Sequence, residues 1–178
     1  MRETGGDQMN SEFDSKQVLL VFGSNIRKER EKQGLTISEL ADSIGYDRGC
    51  LSSLEYGEQN IEYNTALNLA RKLNISFPIL FSRNYLDNFS NSTSPIASRF
   101  NEDDYLLVFI ENFQKLMKKK GLRQIDAYGE TNIQTALISR IINRKISNPT
   151  IKTLSAMAYT VDTEMYYLFS RNSQEEII

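Results

Sequence analysis

Apolar residues recur at helical spacing along most of the chain. Val18, Leu19, Phe22 and Ile26 share one face of a first predicted helix, which Gly34 ends. Further segments repeat this spacing up to the last few residues. No segment shows the sustained apolar–polar alternation that is typical of a strand. The pattern therefore predicts an all-α fold of short helices with short connections.

Capping residues mark a second and a third helix. Thr36 is followed three residues later by Glu39, which predicts a capping box at the start of the second helix. Small Ala41 and then Gly45 favour a tight left-handed turn, and Asp47 is expected to cap the third helix. A short helix, a tight turn and a second short helix that crosses it make a helix-turn-helix motif. Two further helices complete a predicted five-helix unit.

Two words of the sequence occur twice, in the same order. The word Leu-Leu-Val-Phe at 19–22 returns at 106–109, and Leu-Phe-Ser-Arg-Asn at 80–84 returns at 168–172. The displacements are 87 and 88 residues, and one inserted residue near 145–148 explains the change. A fixed period of this kind predicts duplication of one helical unit.

The duplication divides the chain into five parts. We expect a disordered tail at 1–14, a first helix-turn-helix domain at 15–86, a linker at 87–101, a second such domain at 102–173 and a tail at 174–178. The linker is rich in Ser and Asn, which is typical of a flexible connection.

Three stretches carry a family resemblance. The segments T-I-S-E-L-A at 36–41, I-G at 44–45 and L-S-S-L-E-Y-G at 51–57 resemble the lambda-repressor-like, Cro-like family, also called Xre-type. The second copy departs from the pattern, with Tyr128 in place of the small alanine and Asn132 in place of the glycine. Asn tolerates the left-handed conformation, so the turn is expected to survive. The resemblance implies two tandem five-helix domains of this family.

The same resemblance implies which residues touch DNA. The third helix of each unit is expected to enter the major groove, and the start of the second helix to contact phosphate. The candidate contacts in the first unit are Thr36, Arg48, Gly49, Cys50, Ser52 and Ser53. The candidate contacts in the second unit are Arg123, Gln124, Thr135, Ala136, Ser139, Arg140, Arg144 and Lys145.

Charge distinguishes the two units. Residues 131–161 contain no acid, and four basic residues lie among them. Residues 43–62 contain one basic residue, Arg48, and four acids, which are Asp47, Glu55, Glu58 and Glu62. Neutralisation of phosphate supplies most non-specific affinity for DNA. The second unit is therefore expected to be the better electrostatic binder, whereas the first has the better turn.

The amino-acid composition limits which catalytic and metal-binding sites the chain can contain. The chain has no histidine and one cysteine, Cys50, which excludes an internal disulfide and leaves no transition-metal cluster. No Gly-rich phosphate loop or nucleophile motif is present. We therefore expect no enzyme, no cofactor and no metal. No apolar run approaches the ~20 residues of a membrane span, and no signal peptide is recognisable. The expected location is therefore the cytoplasm, for a protein encoded by a bacterium or a phage.

Two functions are consistent with these features. The first is a sequence-specific regulator of transcription that binds double-stranded DNA, with repression as its expected mode. The alternative is a protein-interaction module, either antitoxin-like or an inhibitor. The net charge of −2 and the acidic first recognition helix favour this alternative. A homodimer is predicted because the aromatic segment Met165–Phe169 looks too apolar for one small bundle. A pseudo-dimer formed by the two units of one chain is the open alternative.

Overall fold

The computed structural model describes residues 13–83 and 104–170, and within these ranges the chain is helical. The first half contains α1 (Ser15–Lys32), α2 (Ile37–Ile44), α3 (Arg48–Glu55), α4 (Tyr63–Lys72) and a 3₁₀ helix, η1 (Phe77–Phe81). The second half contains α5 (Asp104–Lys120), α6 (Gln124–Thr131), α7 (Thr135–Ile142), α8 (Ile151–Thr160) and α9 (Met165–Phe169). The all-α prediction is confirmed. None of the helices in the described ranges is long and apolar enough to cross a membrane.

Local sequence explains where several helices begin. The side chain of Asp14 accepts a hydrogen bond from the Lys16 amide, 2.9 Å away, and so caps α1. Phe13 packs against Tyr159 with ring centroids 5.2 Å apart. Phe13 and Asp14, the last described residues of the expected N-terminal tail at 1–14, thus make contacts with the helices. The predicted linker and the C-terminal tail lie outside the described residues.

The helices of the two halves are in register. The bounds of α6 and α7 are those of α2 and α3 moved by 87 residues, and those of α8 and α9 are those of α4 and η1 moved by 88. The described residues with positive φ fall into four pairs at the same displacements: Gly34 and Gly121, Gly45 and Asn132, Gly57 and Arg144, and Asn74 and Asp162. The connection before α8 is one residue longer than the one before α4.

A buried asparagine joins the first and last helices of each half. The Nδ2 atom of Asn25 donates to the carbonyl oxygens of Leu80 and Ser82, at 3.1 and 3.0 Å. In the second half, Asn112 Nδ2 donates to the carbonyl oxygens at positions 168 and 170, at 3.0 and 3.2 Å. A buried amide needs such partners, because burial without a hydrogen bond is costly. Each asparagine therefore ties the short last helix of its half to the long first one.

Reciprocal hydrogen bonds connect the two halves. The Tyr63 amide donates to the Pro149 carbonyl at 2.9 Å, and the Ile151 amide donates to the Ile61 carbonyl at 2.8 Å. Glu62 and Thr150 form an isolated antiparallel bridge between these bonds. Two asparagines extend the pattern, since the amide of residue 64 donates to Asn148 Oδ1 and that of residue 152 to Asn60 Oδ1, at 2.9 and 3.1 Å. Each bond is the counterpart of another one with the halves exchanged.

An aromatic cluster lies beside this bridge. The rings of Phe81 and Phe169 stack with centroids 5.3 Å apart, and Phe77 meets Phe169 edge to face at 4.9 Å. Tyr63 and Tyr105 also contact Phe77, at 5.5 and 5.2 Å. All five rings are buried. Aromatic burial of this kind is among the largest stabilising contributions to a small core.

The cluster corrects one prediction. The segment Met165–Phe169 was expected to remain for a second copy of the chain, but Met165, Leu168 and Phe169 are buried inside this one. Tyr167, at 38% exposure, is the most open of the segment's large side chains. The reason given for a homodimer is therefore wrong, and the homodimer itself stays a prediction.

Candidate nucleic-acid interface

The first half contains a complete helix-turn-helix arrangement. The Thr36 hydroxyl accepts from the Glu39 amide at 3.2 Å, and the Glu39 carboxylate accepts from the Thr36 amide at 2.7 Å, so the predicted capping box is confirmed. Ala41 is fully buried and Gly45 has φ of +64°, which is the left-handed turn predicted from the sequence. Three residues separate α2 from α3, and the last of them, Asp47, caps α3 through the Cys50 amide at 2.8 Å.

The inner side of α3 is held tightly against α1. A Cβ atom added to Gly23 would lie 2.1 Å from the Leu54 carbonyl oxygen, so only glycine allows this approach of the two helices. Beside it, Arg30 forms a two-pronged ion pair with Glu55, at 2.6 Å (Nε–Oε1) and 2.8 Å (Nη2–Oε2). The Arg30 guanidinium also donates to the Leu35 carbonyl at 2.8 Å. These contacts fix the orientation of the candidate recognition helix.

The outer side of α3 presents the residues that the sequence indicated. Arg48 and Gly49 are exposed, and Cys50, Ser52 and Ser53 are half-buried. Arg48 has no ion pair with another described residue. Hydrogen bonds from the amides of Cys50 and Gly49 lower the pKa of Asp47, which therefore stays ionised beside Arg48. Among the residues that the structure describes, this face thus combines the unpaired guanidinium of Arg48 with small polar side chains.

Two of the four acids counted against this face point elsewhere. Glu55 has a side-chain exposure of 1% and is neutralised by Arg30. Glu62 lies at the contact between the halves, where its Oε2 accepts from Asn148 Nδ2. The prediction that both acids oppose Arg48 is wrong. Nothing in the sequence indicates this ion pair, because Arg30 and Glu55 are 25 residues apart and lie on different helices.

The second half has helices of the same length at the equivalent positions, α6 and α7, with a different turn between them. Asn132 has φ of +56°, so the expected left-handed turn between α6 and α7 is present without a glycine. Ile138 and Ile141 are fully buried and attach the inner side of α7 to the hydrophobic core. The side chain of Tyr128, which stands in place of the small alanine, lies outside the described residues. At the start of α6, Asp126 accepts from the Arg123 amide at 2.6 Å, which lowers the pKa of Asp126.

The outer side of α7 is basic. Ala136 and Arg140 are exposed, whereas Thr135 and Ser139 are half-buried. Arg144 and Lys145 follow the helix and are also exposed. Arg144 has φ of +58°, a conformation that is strained for a residue with a side chain. None of these three basic side chains has an ion pair with a described residue.

The three candidate phosphate contacts are less free. The Thr36 hydroxyl is occupied within the capping box, where it also donates to Glu39 Oε2 at 2.8 Å. The Arg123 guanidinium lies 3.4 Å from Asp126 Oδ1, in an exposed ion pair that costs little to break. Gln124 is half-buried.

Two exposed residues beside the interface were not predicted from the sequence. They are Tyr56, whose ring centroid lies 5.4 Å from the Arg27 guanidinium, and Ile125 on α6.

Known proteins resemble part of this chain. A helix-turn-helix family model matches residues 26–80. Control protein C.SmaI of Serratia marcescens is 35% identical over 76 residues, which are 43% of this chain and 87% of that protein. The uncharacterized HTH-type transcriptional regulator YqaE of Bacillus subtilis strain 168 is 30% identical over 60 residues, which are 34% of this chain and 52% of that protein. No solved structure matches the chain. The chain belongs to the helix-turn-helix family of DNA-binding transcription regulators.

Proposed function

We propose that the chain regulates transcription by sequence-specific binding to double-stranded DNA, with α3 and α7 in the major groove. The observation that supports this most is the seating of α3, which is locked from behind by Gly23 and the Arg30–Glu55 pair while Arg48 and Gly49 remain exposed. A recognition helix has to present a fixed face if its side chains are to read base edges. Repression remains the predicted mode.

We further propose that the second half is a second helix-turn-helix domain in tandem with the first. Its support is the matching register of the helices, the four paired positive-φ positions and the equivalent asparagines Asn25 and Asn112. Unrelated helical halves have no reason to share all three features. The proposed site consists of the fourteen residues predicted from the sequence, with Arg140, Arg144 and Lys145 as its basic part.

The competing function is a protein-interaction module, antitoxin-like or an inhibitor. It was supported by the acidic character of the region around α3. That support weakens, because Glu55 is buried in an ion pair and Glu62 contributes to the contact between the halves. Asp47 and Glu58 are the acids of this region that remain exposed without such a role.

Selection of bound sequences from random duplexes tests the proposed function. We expect one enriched motif, because exposed side chains on a rigid helix discriminate between base pairs. Selection should be repeated with Arg140→Ala, which is expected to relax the preference at one or two positions of the motif. Absence of any enriched motif with the unmodified protein would contradict sequence-specific binding and favour the protein-interaction module.

A further inference from the structure

We propose that one chain occupies a complete operator composed of two different half-sites, one read by α3 and the other by α7. This inference rests on the proposed function and adds to it the stoichiometry of the complex and the form of the site. Helix-turn-helix domains commonly act as two-fold dimers whose half-sites lie one helical turn apart. In this chain, the two halves supply that symmetry to each other.

The symmetry is visible in the contact between the halves. Tyr63 and Ile151 occupy equivalent positions in the two halves. The Tyr63 amide donates to the Pro149 carbonyl and the Ile151 amide donates to the Ile61 carbonyl, so one bond lies on each side of the bridge between Glu62 and Thr150. Asn60 and Asn148 are equivalent in the same way, and each accepts one amide from across the contact. When both sides of a contact use equivalent residues, and every bond has a counterpart with the two sides exchanged, the contact is isologous and has two-fold symmetry. The recognition helices α3 and α7 are therefore related by an approximate two-fold axis.

The contact is also rigid enough to hold two helices at a set separation. Phe81 and Phe169, themselves equivalent, stack close to this axis, and Phe77 and Tyr63 complete a buried cluster. Domains joined by a flexible linker alone lack such a common core. We infer that the relative position of α3 and α7 is set before DNA arrives, which lowers the entropic cost of binding at both half-sites.

Two segments connect the recognition helices to the bridge between the halves. Seven residues run from the end of α3 to Glu62, and eight run from the end of α7 to Thr150. At about 3.6 Å per extended residue, the two connections together set an upper bound of about 54 Å on the distance between the helix ends, so they permit the ~34 Å of one helical turn. The contact between the halves leaves Arg48, Gly49, Ala136 and Arg140 exposed. Both recognition faces thus remain open to DNA.

The two faces read different bases. The exposed part of α3 offers Arg48 at its first turn, whereas α7 offers Arg140 at its second turn and a methyl group at Ala136. Arginine pairs with guanine and small apolar groups contact the thymine methyl, so a different placement of these groups selects a different half-site. The operator of a single chain is consequently not a palindrome, which separates this inference from a homodimer on a symmetric site.

The test uses the full chain and the duplex obtained by selection. Light scattering of the complex is expected to give one chain per duplex. Affinity is expected to fall about 100-fold or more when either half-site is scrambled. The chain then binds through one recognition helix and loses the gain from binding the second half-site within the same complex. It is expected to fall similarly when five base pairs are inserted between the half-sites, since this turns one of them to the opposite side of the DNA.

Variants of the contact give an independent readout. Asn60→Ala combined with Asn148→Ala removes the two side-chain amide acceptors of the contact. The double variant should weaken binding to the complete operator by about tenfold, with little change on a duplex that carries one half-site. Asn68→Ala, at an exposed position on α4 away from the contact, is the matched control and should leave both affinities unchanged.

Two results would overturn the inference while leaving the proposed function intact. The first is a complex in which two chains bind a palindromic operator. The second is an equal affinity of the chain for the complete operator and for a single half-site. Failure to bind any duplex would instead refute the proposed function. Should the double variant fail to fold, as judged by circular dichroism, the insertion experiment on the unmodified protein still decides between the outcomes.

Discussion

Arg30 and Glu55 form a buried two-pronged ion pair, and the positions 87 residues later hold Met117 and Ile142. Met117 and Ile142 both line an open cavity of about 330 Å³ between α5, α7 and the start of α6. The two halves therefore fill the same place with different chemistry. One uses opposite charges, and the other uses apolar side chains.

This difference predicts the outcome of exchanging the pair. Arg30→Met alone leaves the Glu55 carboxylate buried without a cation and should lower the free energy of unfolding by about 3–5 kcal/mol. Arg30→Met combined with Glu55→Ile copies the second half and should recover most of that loss, since apolar replacement of a buried pair is often neutral. Urea unfolding of both variants checks this. A double variant as unstable as the single one would show that the pair cannot be replaced as a unit.

Gly23 is predicted to be essential for the seating of α3. Gly23→Ala places a methyl group 2.1 Å from the Leu54 carbonyl oxygen and forces the backbone of α3 to move. Overpacking of this kind costs about 1–3 kcal/mol, although alanine is the better helix former. The variant should also lose DNA affinity, because α3 is displaced. Gly49→Ala is the control for stability, since its Cβ meets only the Asp47 side chain at 3.1 Å. Equal stability losses in the two variants would contradict this view of the α1–α3 contact.

Arg140→Ala is predicted to weaken DNA binding more than Arg48→Ala. Arg140 is exposed in a region without acids, whereas the ionised Asp47 adjoins Arg48. A bidentate contact between arginine and guanine is worth about 1–3 kcal/mol in discrimination. Titration of both variants against one duplex at one salt concentration measures the difference. A clearly larger loss with Arg48→Ala would mean that turn geometry matters more than charge, since the first half has the glycine turn.

Acid is predicted to destabilise the starts of three helices. Backbone hydrogen bonds lower the pKa of Glu39, Asp47 and Asp126. A carboxyl group whose pKa is lower in the folded protein contributes stability above its unfolded pKa, about 4, and loses it as the pH falls further. Replacing the three by Glu39→Gln, Asp47→Asn and Asp126→Asn keeps acceptors but removes the titration. Unfolding free energies should then depend less steeply on pH between 5 and 3. Parallel curves for the variant and the unmodified protein would count against these caps.

Local features of the fold were predictable from the sequence, and long-range ones were not. The capping box at Thr36, the Asp47 cap and the left-handed Gly45 and Asn132 each depend on a few neighbouring residues, so their signals lie within one segment. The Arg30–Glu55 pair joins residues that are distant in sequence, and its members look like ordinary surface charges of amphipathic helices.

The contact between the halves escaped prediction for a related reason. Asn60 and Asn148 are typical turn residues, and nothing local indicates that each accepts an amide from the other half. The sequence marks the segment containing Phe169 as unusually apolar, and a second chain is the partner that its composition predicts. The partner is η1 of the same chain, which the register of the repeat alone does not reveal.

The salt dependence of DNA binding tests the central claim most directly. Binding of the full chain to a fixed duplex should be titrated between about 50 and 200 mM salt, and the logarithm of the binding constant should fall linearly with the logarithm of salt concentration. The expected slope is about −0.9 for each phosphate contacted, and it should become shallower in a variant that combines Arg144→Ala and Lys145→Ala. Lack of binding at the lowest salt concentration would contradict the claim that this chain acts on DNA and would favour a protein partner.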